Sequence, residues 1–437
     1  MTTTVTPLRV AVLGQGYVGL PLSMRAVVAG HDVIGIDAST ERVKRLAVGD
    51  SFVEDVPGVV LDAALNSGRY SVTDDALACE GFDVAVVTVP TPLHEGAPDL
   101  SYIESAARML APHVRPGSLV VLESTTYPGT TEQLFVPILE AGSGLIAGAD
   151  FSVGYSPERI DPGNRTWDLG TTPKLVSGID SESLDRTDAF YSTFVRTTVR
   201  VSTCRAAEMA KLLENTFRHV NVALVNELAM FAHDLDIDVW ESIEAAATKP
   251  FGFMKFTPGP GVGGHCIPVD PYYLSWRARE FDFIDRFIEL AGDINFAMPR
   301  HVVDLVGEAL NDRGRALKGA KVGVLGVAFK PNVRDARNSP AADVLAGLAG
   351  RGGDVRFHDP HVETFRDATG EIREETPLPE LLAWADVIVV VTAHSAIDWA
   401  RVYTDADLVV DTVDSSRGRP TRPRQVLRLG AGWSAGN

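Results

Sequence analysis

The stretch "LRVAVLGQGYVGLPLSMRAVVAGHDVIGID", residues 8–37, predicts a strand, a tight turn, a helix and a second strand. Its segments "RVAVLG" and "HDVIGID" are continuous apolar runs of the kind found in strands that are buried on both faces. Further runs of this kind follow at "FDVAVVTVP", "GSLVVLEST" and "FSVGYSP", with helical stretches such as "SYIESAARMLAPHV" between them. Strands that alternate with helices predict a parallel sheet covered on both faces.

The turn in this stretch carries glycines at the G-x-G-x-x-G spacing. Gly14, Gly16 and Gly19 follow the first strand and open the helix, and Asp37 ends the next strand. In a dinucleotide fingerprint the glycines let the backbone approach a pyrophosphate, and the acid holds a ribose diol. Because an acid repels a 2′-phosphate, the pattern favours NAD over NADP. The alternative is a tight turn that binds nothing.

A second α/β pattern ends the chain. "GAKVGVLGVAFKPNVRDARNSPAADVLAGLAGRGGDVRFHDPHV" repeats the order of strand, turn, helix and strand, and "ADVIVVVTAHS" repeats "FDVAVVTVPTP". The glycine fingerprint is absent from this copy, where "GVAFKPN" stands in place of "GQGYVGL". We therefore expect two similar sheets that bind different ligands.

The region between the two patterns predicts a long helix. Residues 203–237 contain neither proline nor glycine, and Ser202 and Thr203 are candidate N-caps. Its apolar residues occupy more than one face, so we expect burial between domains or subunits, and a helical region continues to about residue 312. The predicted fold is α/β, with two Rossmann-like doubly wound parallel-sheet domains (1–202 and 313–437). A long central helix and a helical middle domain (203–312) join them.

Composition excludes several classes of protein. The 40 Lys and Arg against 58 Asp and Glu give a formal net charge of −18, which argues against general affinity for nucleic acid or anionic membranes. No run of about 18 apolar residues occurs and the N-terminus does not resemble a signal peptide, so we expect a cytoplasmic protein. The 3 cysteines are odd in number and far apart, which argues against a disulfide framework.

The loop "PGPGVGGHCIPVDPYYL", residues 258–274, presents Cys266 behind a run of glycines and prolines. Three interpretations are open: half of a metal site with His265, a structural core cysteine, or a reactive thiol. No second Cys or His lies nearby at ligand spacing, and a core cysteine normally sits in a helix or strand. The pattern favours a reactive thiol. Beside a nicotinamide, a thiolate can add to an aldehyde, and the thiohemiacetal can then yield a second hydride to form a thioester.

Other polar residues stand where chemistry is expected. Lys211 and Asn215 lie four apart on one face of the predicted long helix, where they either stabilise an oxyanion or are ordinary surface residues. Glu158 and Arg159, in "SPERID", follow a predicted strand, and Glu158 is a candidate general base unless the segment is a plain surface turn. Thr125 follows another strand, which predicts a place near the cofactor.

Seven motifs in order make the chain resemble the UDP-glucose/GDP-mannose dehydrogenase family of nucleotide-sugar 6-dehydrogenases over nearly its whole length. They are "GQGYVGLPL", "VPTP", "STTYPGTT", "SPER", "AEMAKLLENTFRHVNVALVNELA", "GGHCIPVDPYYL" and "GVAFKPNVRDARNSP". The resemblance implies oxidation of a sugar C6 alcohol to a carboxylate by two NAD molecules in sequence. It also implies a covalent cysteine, no metal, and a homodimer or larger oligomer.

Site residues follow from this resemblance together with the motifs above. The catalytic set is Cys266 as nucleophile, Lys211 and Asn215 as oxyanion pair, Asp270 to hold Lys211 or a water, and Thr125 and Glu158 to handle water. The cofactor set is Gly14, Gly16, Tyr17, Val18, Gly19, Asp37, Arg42, Pro90, Thr91, Thr126 and Arg337. The substrate set is Glu158, Arg159, Lys211, Asn215, Phe256, Gly259, Gly261, Gly263 and Lys330. We expect the loop glycines to let the loop close over the substrate.

Departures from the family pattern narrow the substrate. Glucose-type members tend to carry a second glutamate four residues after the first, where this chain has Pro162. "SPERIDPGN" and "ATKPFGFMKFTPGPGVGGHCIPVDPYYLSW" are similar instead to the branch that acts on UDP-N-acetylhexosamines, either UDP-GlcNAc or UDP-ManNAc. The alternatives are UDP-glucose, dTDP-glucose or GDP-mannose. More distant alternatives are a two-electron β-hydroxyacid-type dehydrogenase and a non-catalytic nucleotide-binding regulator.

Overall fold

The computed structural model describes residues 6–161, 164 and 166–435. Pro162, which entered the argument on the substrate branch, lies outside these residues. The chain forms two compact units, the first built from residues up to 214 and 272–282, the second from 215–271 and 283 onward. The helices Cys204–Asp234 and Asp270–Arg279 each run from one unit into the other.

The first unit contains an eight-stranded sheet and a small hairpin. Its strands are β1 (Arg9–Leu13), β2 (Asp32–Ile36), β3 (Tyr70–Thr73), β4 (Val84–Val87), β5 (Leu93–His94), β6 (Ala97–Pro98), β7 (Leu119–Leu122), β8 (Ser152–Tyr155), β9 (Lys174–Gly178) and β10 (Thr198–Arg200). The sheet order is β10-β9-β8-β7-β4-β1-β2-β3, and β5 pairs with β6. Its helices are α1 (Gly19–Val28), α2 (Thr40–Ala47), α3 (Gly58–Asn66), α4 (Ser101–Leu110), α5 (Val136–Ser143) and α6 (Ser181–Tyr191).

The predicted parallel sheet is confirmed, with one exception. At the centre of the sheet, β1 pairs in parallel with both β2 and β4. β8 and β9 are antiparallel, and the described residues between them form no crossover helix. Side chains alternate along β1, so that Val10 and Val12 enter one apolar core while Ala11 and Leu13 enter the other. The sheet is therefore covered on both faces.

The second unit contains the second sheet. After the long helix α7 (Cys204–Asp234), its helices are α8 (Val239–Ala247), α9 (Asp270–Arg279, shared with the first unit), α10 (Arg286–Asn311), α11 (Ala341–Gly350), α12 (Leu378–Trp384) and α13 (Trp399–Asp405). Its strands are β11 (Lys321–Leu325), β12 (Asp354–His358), β13 (Thr364–Arg366), β14 (Ile372–Glu374), β15 (Val387–Val390), β16 (Val409–Asp411), β17 (Val426–Arg428) and β18 (Gly432–Trp433). The order is β12-β11-β15-β16-β17-β18, with β17 and β18 antiparallel and β13–β14 a separate hairpin.

The predicted long helix is confirmed as α7. Thr203 caps it, since its hydroxyl oxygen accepts a hydrogen bond from the Ala206 N–H at 3.1 Å. Several of its large apolar side chains, including Leu213, Phe217 and Phe231, are 44–59% exposed. Because α7 and α9 belong to both units, the domain boundaries at residues 202 and 312 stay predictions. Within the described residues, every helix is too short or too polar to cross a membrane.

Candidate active site

The turn after β1 fits a dinucleotide. A side chain at Gly14 (φ +88) would place its Cβ 2.7 Å from the Thr88 carbonyl oxygen, and one at Gly19 would place it 1.8 Å from the Gly14 oxygen. At Gly16 nothing lies within 4 Å of the corresponding position. The first and third glycines are therefore required by packing, while the second borders open space that a pyrophosphate can approach. Val18 occupies the N-cap position of α1.

Two backbone N–H groups orient the Asp37 carboxylate at the end of β2. Its Oδ2 accepts a hydrogen bond from the Gln15 N–H at 2.8 Å and its Oδ1 accepts one from the Ser39 N–H at 2.9 Å. Arg42 lies 3.7 Å from the same carboxylate and is half exposed. Each carboxylate oxygen keeps acceptor capacity for a ribose hydroxyl. The residues present thus fit NAD, with Asp37 for the ribose and the glycine turn for the pyrophosphate.

Two further loops lie at the carboxyl edge of this sheet. Thr91, after β4, is buried, and its carbonyl oxygen accepts a hydrogen bond from the Tyr273 hydroxyl. Thr125 and Thr126 follow β7. The Thr126 hydroxyl donates to Thr130 at 2.6 Å, so its proton is already used within the turn. The loop positions agree with the rule that parallel sheets bind ligands at this edge.

Glu158 and Lys211 meet inside the first unit. The Lys211 ammonium donates to the Glu158 carbonyl oxygen and lies 3.9 Å from its Oε2. Both residues are buried, with 4% and 8% of their surfaces exposed, which excludes an ordinary surface lysine and a plain surface turn. Arg159 donates to the Pro173 carbonyl oxygen at 2.8 Å and pairs with Glu214 on α7. The structure thus brings this predicted group together.

Asn215, one turn along α7 from Lys211, is fixed from both sides within the second unit. Its Nδ2 donates to Asp270 Oδ2 at 2.5 Å, and its Oδ1 accepts from Arg218. An amide nitrogen has two N–H groups, so a second donor is available to an oxyanion. Arg218 was not predicted. The signal for it was its position three residues after Asn215, on the same helical face.

Cys266 lies in the turn that leads into α9, four residues before the first helical residue. Its carbonyl oxygen accepts from the Val269 N–H at 3.3 Å and the Asp270 N–H at 2.9 Å, so the chain turns into the helix at the cysteine. Cys266 is half-buried, whereas burial raises the pKa of Cys79 to about 11 and that of Cys204 to about 12. Of the three thiols, Cys266 is the one placed for nucleophilic chemistry.

The glycines before Cys266 differ from their expected role in loop closure. A side chain at Gly264 (φ +85) would meet the Phe329 ring at 2.9 Å, and one at Gly263 would meet Pro340 at 2.9 Å. The Gly264 N–H also donates to the Arg337 carbonyl oxygen at 3.3 Å. These glycines allow tight packing against the loop that follows β11, because there is no room for a Cβ. A side chain at Gly261 (φ +132) would likewise place its Cβ 3.1 Å from the Pro340 Cβ.

Gly259 alone of the predicted substrate glycines faces open space, and its N–H donates to Asn226 Oδ1 at 2.9 Å. Phe256 packs edge-to-face on Phe217 at 5.7 Å. Arg337 makes a two-point contact with Asp335, at 2.9 and 2.6 Å. Their roles, and that of the half-buried Lys330, stay predictions.

His265 has no metal partner set around it. Burial lowers its pKa, and the nearby Arg337 charge lowers it further, so the imidazole is neutral near pH 7. Among the described residues there is no cluster of three or more His, Cys, Asp or Glu that could hold a metal ion. His265 therefore packs beside the Arg337 loop as a neutral ring.

Family models cover most of the chain. Three models of the UDP-glucose/GDP-mannose dehydrogenase family match it in order: the NAD binding domain at residues 8–195, the central domain at 205–297 and the UDP binding domain at 323–415.

Individual relatives match over nearly the whole length. The chain is 37% identical over 399 residues to a UDP-N-acetyl-D-mannosamine dehydrogenase of Pyrococcus horikoshii, covering 90% of this chain and 92% of the relative. It is 38% identical over 395 residues to a UDP-N-acetyl-D-glucosamine 6-dehydrogenase of Pseudomonas aeruginosa, covering 89% and 91%. A solved structure of a UDP-D-ManNAc dehydrogenase from Pyrococcus horikoshii superimposes with a TM-score of 0.89 at 35% identity, covering 97% and 100%.

Proposed function

Because the chain belongs to the UDP-glucose/GDP-mannose dehydrogenase family, we propose that it oxidises the C6 alcohol of a UDP-N-acetylhexosamine to the carboxylate. It is an NAD-dependent nucleotide-sugar dehydrogenase. The observation that carries the four-electron reaction is the placement of Cys266 in the turn before α9, where its carbonyl oxygen accepts from the Asp270 N–H and Asp270 in turn orients the Asn215 amide. A two-electron β-hydroxyacid-type enzyme has no use for such a thiol.

Each of the two oxidations removes a hydride from C6, and the first also removes the proton of the C6 hydroxyl group. NAD, when bound, accepts the hydride. The developing negative charge on the C6 oxygen is stabilised by the Lys211 ammonium and the second Asn215 N–H, which are one turn apart on α7. Because Lys211 is buried and Asn215 is held by Asp270 and Arg218, little reorganisation is needed when the charge appears.

The second oxidation runs through Cys266. Its thiolate adds to the aldehyde carbon to form a thiohemiacetal, which loses a second hydride to become a thioester. Water then attacks the thioester carbon, the C–S bond breaks, and the water proton passes to a base. We assign this base to Glu158, with Thr125 as a partner for the water. The products are the uronic acid and the regenerated thiol.

A 2-acetamido sugar is the preferred substrate because both curated relatives described above are named for one. Their nearly equal identities of 37% and 38% do not separate the manno from the gluco configuration at C2. We propose that the second α/β unit, with Lys330 and the loop at Phe256 and Gly259, binds the nucleotide sugar. Positively charged side chains near the site must attract the anionic nucleotide sugar, because the chain as a whole carries a net charge of −18.

We further propose a homodimer formed through apolar helix surfaces. On α7, Leu224, Leu228 and Phe231 are 46–58% exposed, and on α10, Phe287 and Leu290 are 74% and 58% exposed. Spacing of three and four residues places the α7 side chains in one stripe. Exposed apolar stripes of this kind mark subunit contacts. Phe231→Glu should convert dimer to monomer in sedimentation velocity, whereas Glu182→Gln, at an exposed position on α6, should not.

We also propose that the enzyme acts in the cytoplasm, where NAD and nucleotide sugars are made. The absence of disulfides among the three cysteines, all of them described, supports a reducing compartment.

The deciding experiment is NADH formation with UDP-GlcNAc, UDP-ManNAc, UDP-glucose, dTDP-glucose and GDP-mannose. We expect two NADH per acid formed, with a UDP-N-acetylhexosamine preferred. One NADH with release of free aldehyde, or full turnover by Cys266→Ser, would contradict the four-electron reaction. Tight NAD binding without turnover on any of these sugars would favour a non-catalytic regulator.

A further inference from the structure

A buried charged cluster lies in the first unit outside the predicted site. The Lys174 ammonium is 3.1 Å from Glu123 Oε1 and 4.8 Å from the centre of the Tyr191 ring, and the Tyr191 hydroxyl donates to the same carboxylate oxygen. Lys174 is 3% exposed, and Glu123 and Tyr191 are fully buried. Burial and the Glu123 charge raise the pKa of Tyr191 well above its usual value, so the phenol remains a donor.

Stability is a weak reason for such a cluster. Removing two charges from water costs several kcal/mol per ion, and apolar replacements of similar volume are often neutral or stabilising. Here the cost is raised further because Glu123 Oε2 is buried and has no hydrogen-bond partner among the described residues. The free-energy cost of burying these charges indicates a role other than stabilising the core.

The cluster joins the ends of two adjacent strands. Glu123 follows β7 directly and stands two residues before Thr125. Lys174 begins β9, and its ammonium also donates to the Pro157 carbonyl oxygen at 3.3 Å, directly before Glu158. One ammonium therefore ties the turn after β7 to the turn after β8.

The segment Ser156–Arg159 has no regular secondary structure and depends on such ties. The Ser156 hydroxyl donates to the Leu175 carbonyl oxygen at 2.7 Å, and Lys211 donates to the carbonyl oxygen of Glu158. Pro157 has no N–H, so its carbonyl is its only strong backbone hydrogen-bonding group. The Lys174 ammonium donates a hydrogen bond to that carbonyl oxygen. Without Lys174 the peptide before Glu158 loses its anchor.

We propose that the Lys174–Glu123 pair positions the Thr125 and Glu158 turns relative to one another, so that both side chains act on the water that hydrolyses the thioester. The proposal rests on the proposed function, because Thr125 and Glu158 have this role only in that reaction. Lys174, Glu123 and Tyr191 are positioning residues. In the step they serve, water forms the new C–O bond, the C–S bond breaks, and the water proton moves to the Glu158 carboxylate.

The test separates positioning from folding by removing one charge or both. Lys174→Met and Glu123→Gln each leave one uncompensated buried charge, and each should lower the melting temperature by several degrees. The double variant leaves no charge, and its melting temperature should return to within about 2 °C of the wild type. Its steady-state kcat should nevertheless remain about 10-fold or more below the wild type, with KM values unchanged within about twofold.

The step that slows can be identified directly. Rapid mixing of the double variant with NAD and the nucleotide sugar should give a burst of two NADH per active site, followed by slow turnover. Mass spectrometry of the quenched protein should then find the acyl adduct on Cys266. A reduced burst would place the defect before the thioester and would overturn the proposal. So would a double variant that regains wild-type kcat together with its stability.

A control pair and a second variant keep the result decisive. Arg373→Met with Asp367→Asn removes another ion pair, 3.2 Å apart in the second unit and formed by a buried Asp367 and a half-buried Arg373, and should leave the hydrolytic step unchanged. If the Lys174/Glu123 double variant does not fold, Tyr191→Phe decides: removing only one donor to Glu123 should slow turnover severalfold with the burst intact, and an unchanged rate overturns the proposal. A wild-type enzyme that forms no NADH from any nucleotide sugar refutes the proposed function itself.

Discussion

The first strand of each large sheet, β1 or β11, is followed by a similar glycine turn, but the two turns lead into different segments. Gly14 (φ +88) follows β1, and Gly326 (φ +79) follows β11. An added Cβ at Gly14 would lie 2.7 Å from the Thr88 carbonyl oxygen. An added Cβ at Gly326 would lie 2.2 Å from the Thr392 carbonyl oxygen, and each threonine follows the neighbouring strand. In the first unit α1 begins at Gly19, whereas in the second α11 begins only at Ala341. The intervening segment carries Lys330 and Arg337.

The two units also differ at the acid that follows β2 in the first unit and β12 in the second. Asp37 accepts one backbone N–H from its turn, from Gln15, whereas Asp359 accepts two, from Val327 at 2.7 Å and Ala328 at 3.0 Å. Asp359 also accepts a hydrogen bond from His394 at 3.0 Å. A repeated scaffold thus keeps an acid that we predict to bind the NAD ribose in one copy and that binds the protein's own loop in the other.

The largest effect is expected at the shared glycines. Gly326→Ala and Gly14→Ala should each destabilise the protein by about 3 kcal/mol or more, because each adds backbone strain to a collision with a carbonyl group. Gly326→Ala should be the worse, since its contact is closer. Urea unfolding measures both.

Gly68 and Gly314 serve as controls for that comparison, because both have positive φ and nothing within 4 Å of an added Cβ. Alanine at these positions should cost only about 1 kcal/mol from strain. If Gly326→Ala behaved like the controls, the equivalence of the two turns would be wrong.

A smaller effect on stability, with a large one on binding, is expected at Gly16. Gly16→Ala adds a methyl group to open space, so the melting temperature should stay within about 1 °C. NAD affinity should nevertheless fall by about 10- to 100-fold, because the methyl group occupies the approach of the pyrophosphate. Calorimetric titration with NAD and, separately, with UDP tests this. Equal loss of both affinities would show that the second unit also depends on this turn.

Asp359 should make the stability of the protein depend on pH. Burial alone would raise the pKa of Asp359, but hydrogen bonds from His394 and from backbone N–H groups lower it to about 2 from its usual 3.8. Its stabilisation is therefore complete above about pH 5 and is lost as the pH falls through 2. Asp359→Asn should cost on the order of 2 kcal/mol at pH 7, and this difference should shrink below pH 4.

Asp37→Asn should instead weaken NAD binding, because the amide offers the ribose diol one oxygen acceptor in place of two. Urea unfolding from pH 3 to 8, with NAD titration at pH 7, compares the two variants. A pH-independent cost of Asp359→Asn would mean that the carboxylate charge is unimportant there.

The smallest effect is expected at Arg42. Its guanidinium is half exposed and 3.7 Å from Asp37, so Arg42→Ala should change stability by less than about 0.5 kcal/mol. NAD affinity should fall only severalfold, and the difference should diminish at high salt. Fluorescence titration at two salt concentrations measures it, and a salt-independent loss would argue for packing rather than charge.

Much of this architecture could be predicted because it depends on local pattern. Apolar runs predicted β1, β2, β4, β7 and β8, and the absence of proline and glycine predicted α7. The glycine turn and Asp37 predicted the NAD site, since that site is built from one short stretch. The antiparallel β8–β9 pair could not be predicted in this way, because residues 156–173 do not reveal how the chain returns.

The polar site was predicted only in part. Lys211, Asn215, Glu158 and Asp270 were named, but their partners depend on contacts distant in the chain. The Asn215–Asp270 bond spans 55 positions, and the Lys174–Glu123 pair joins two strands that are not neighbours in sequence. Lys174 carried no signal, because a lysine at the start of a strand is normally exposed.

The sequence by itself determined the class of fold, the cofactor turn and the candidate thiol, because each follows from residues close together in the chain and from local backbone geometry. Only the tertiary structure decided which polar groups are buried and which groups they meet. It turned the glycines before Cys266 from an expected closing loop into a tightly packed contact with Phe329 and Pro340. The physical reason is that burial and hydrogen bonding between distant segments are properties of packing, which local pattern does not contain.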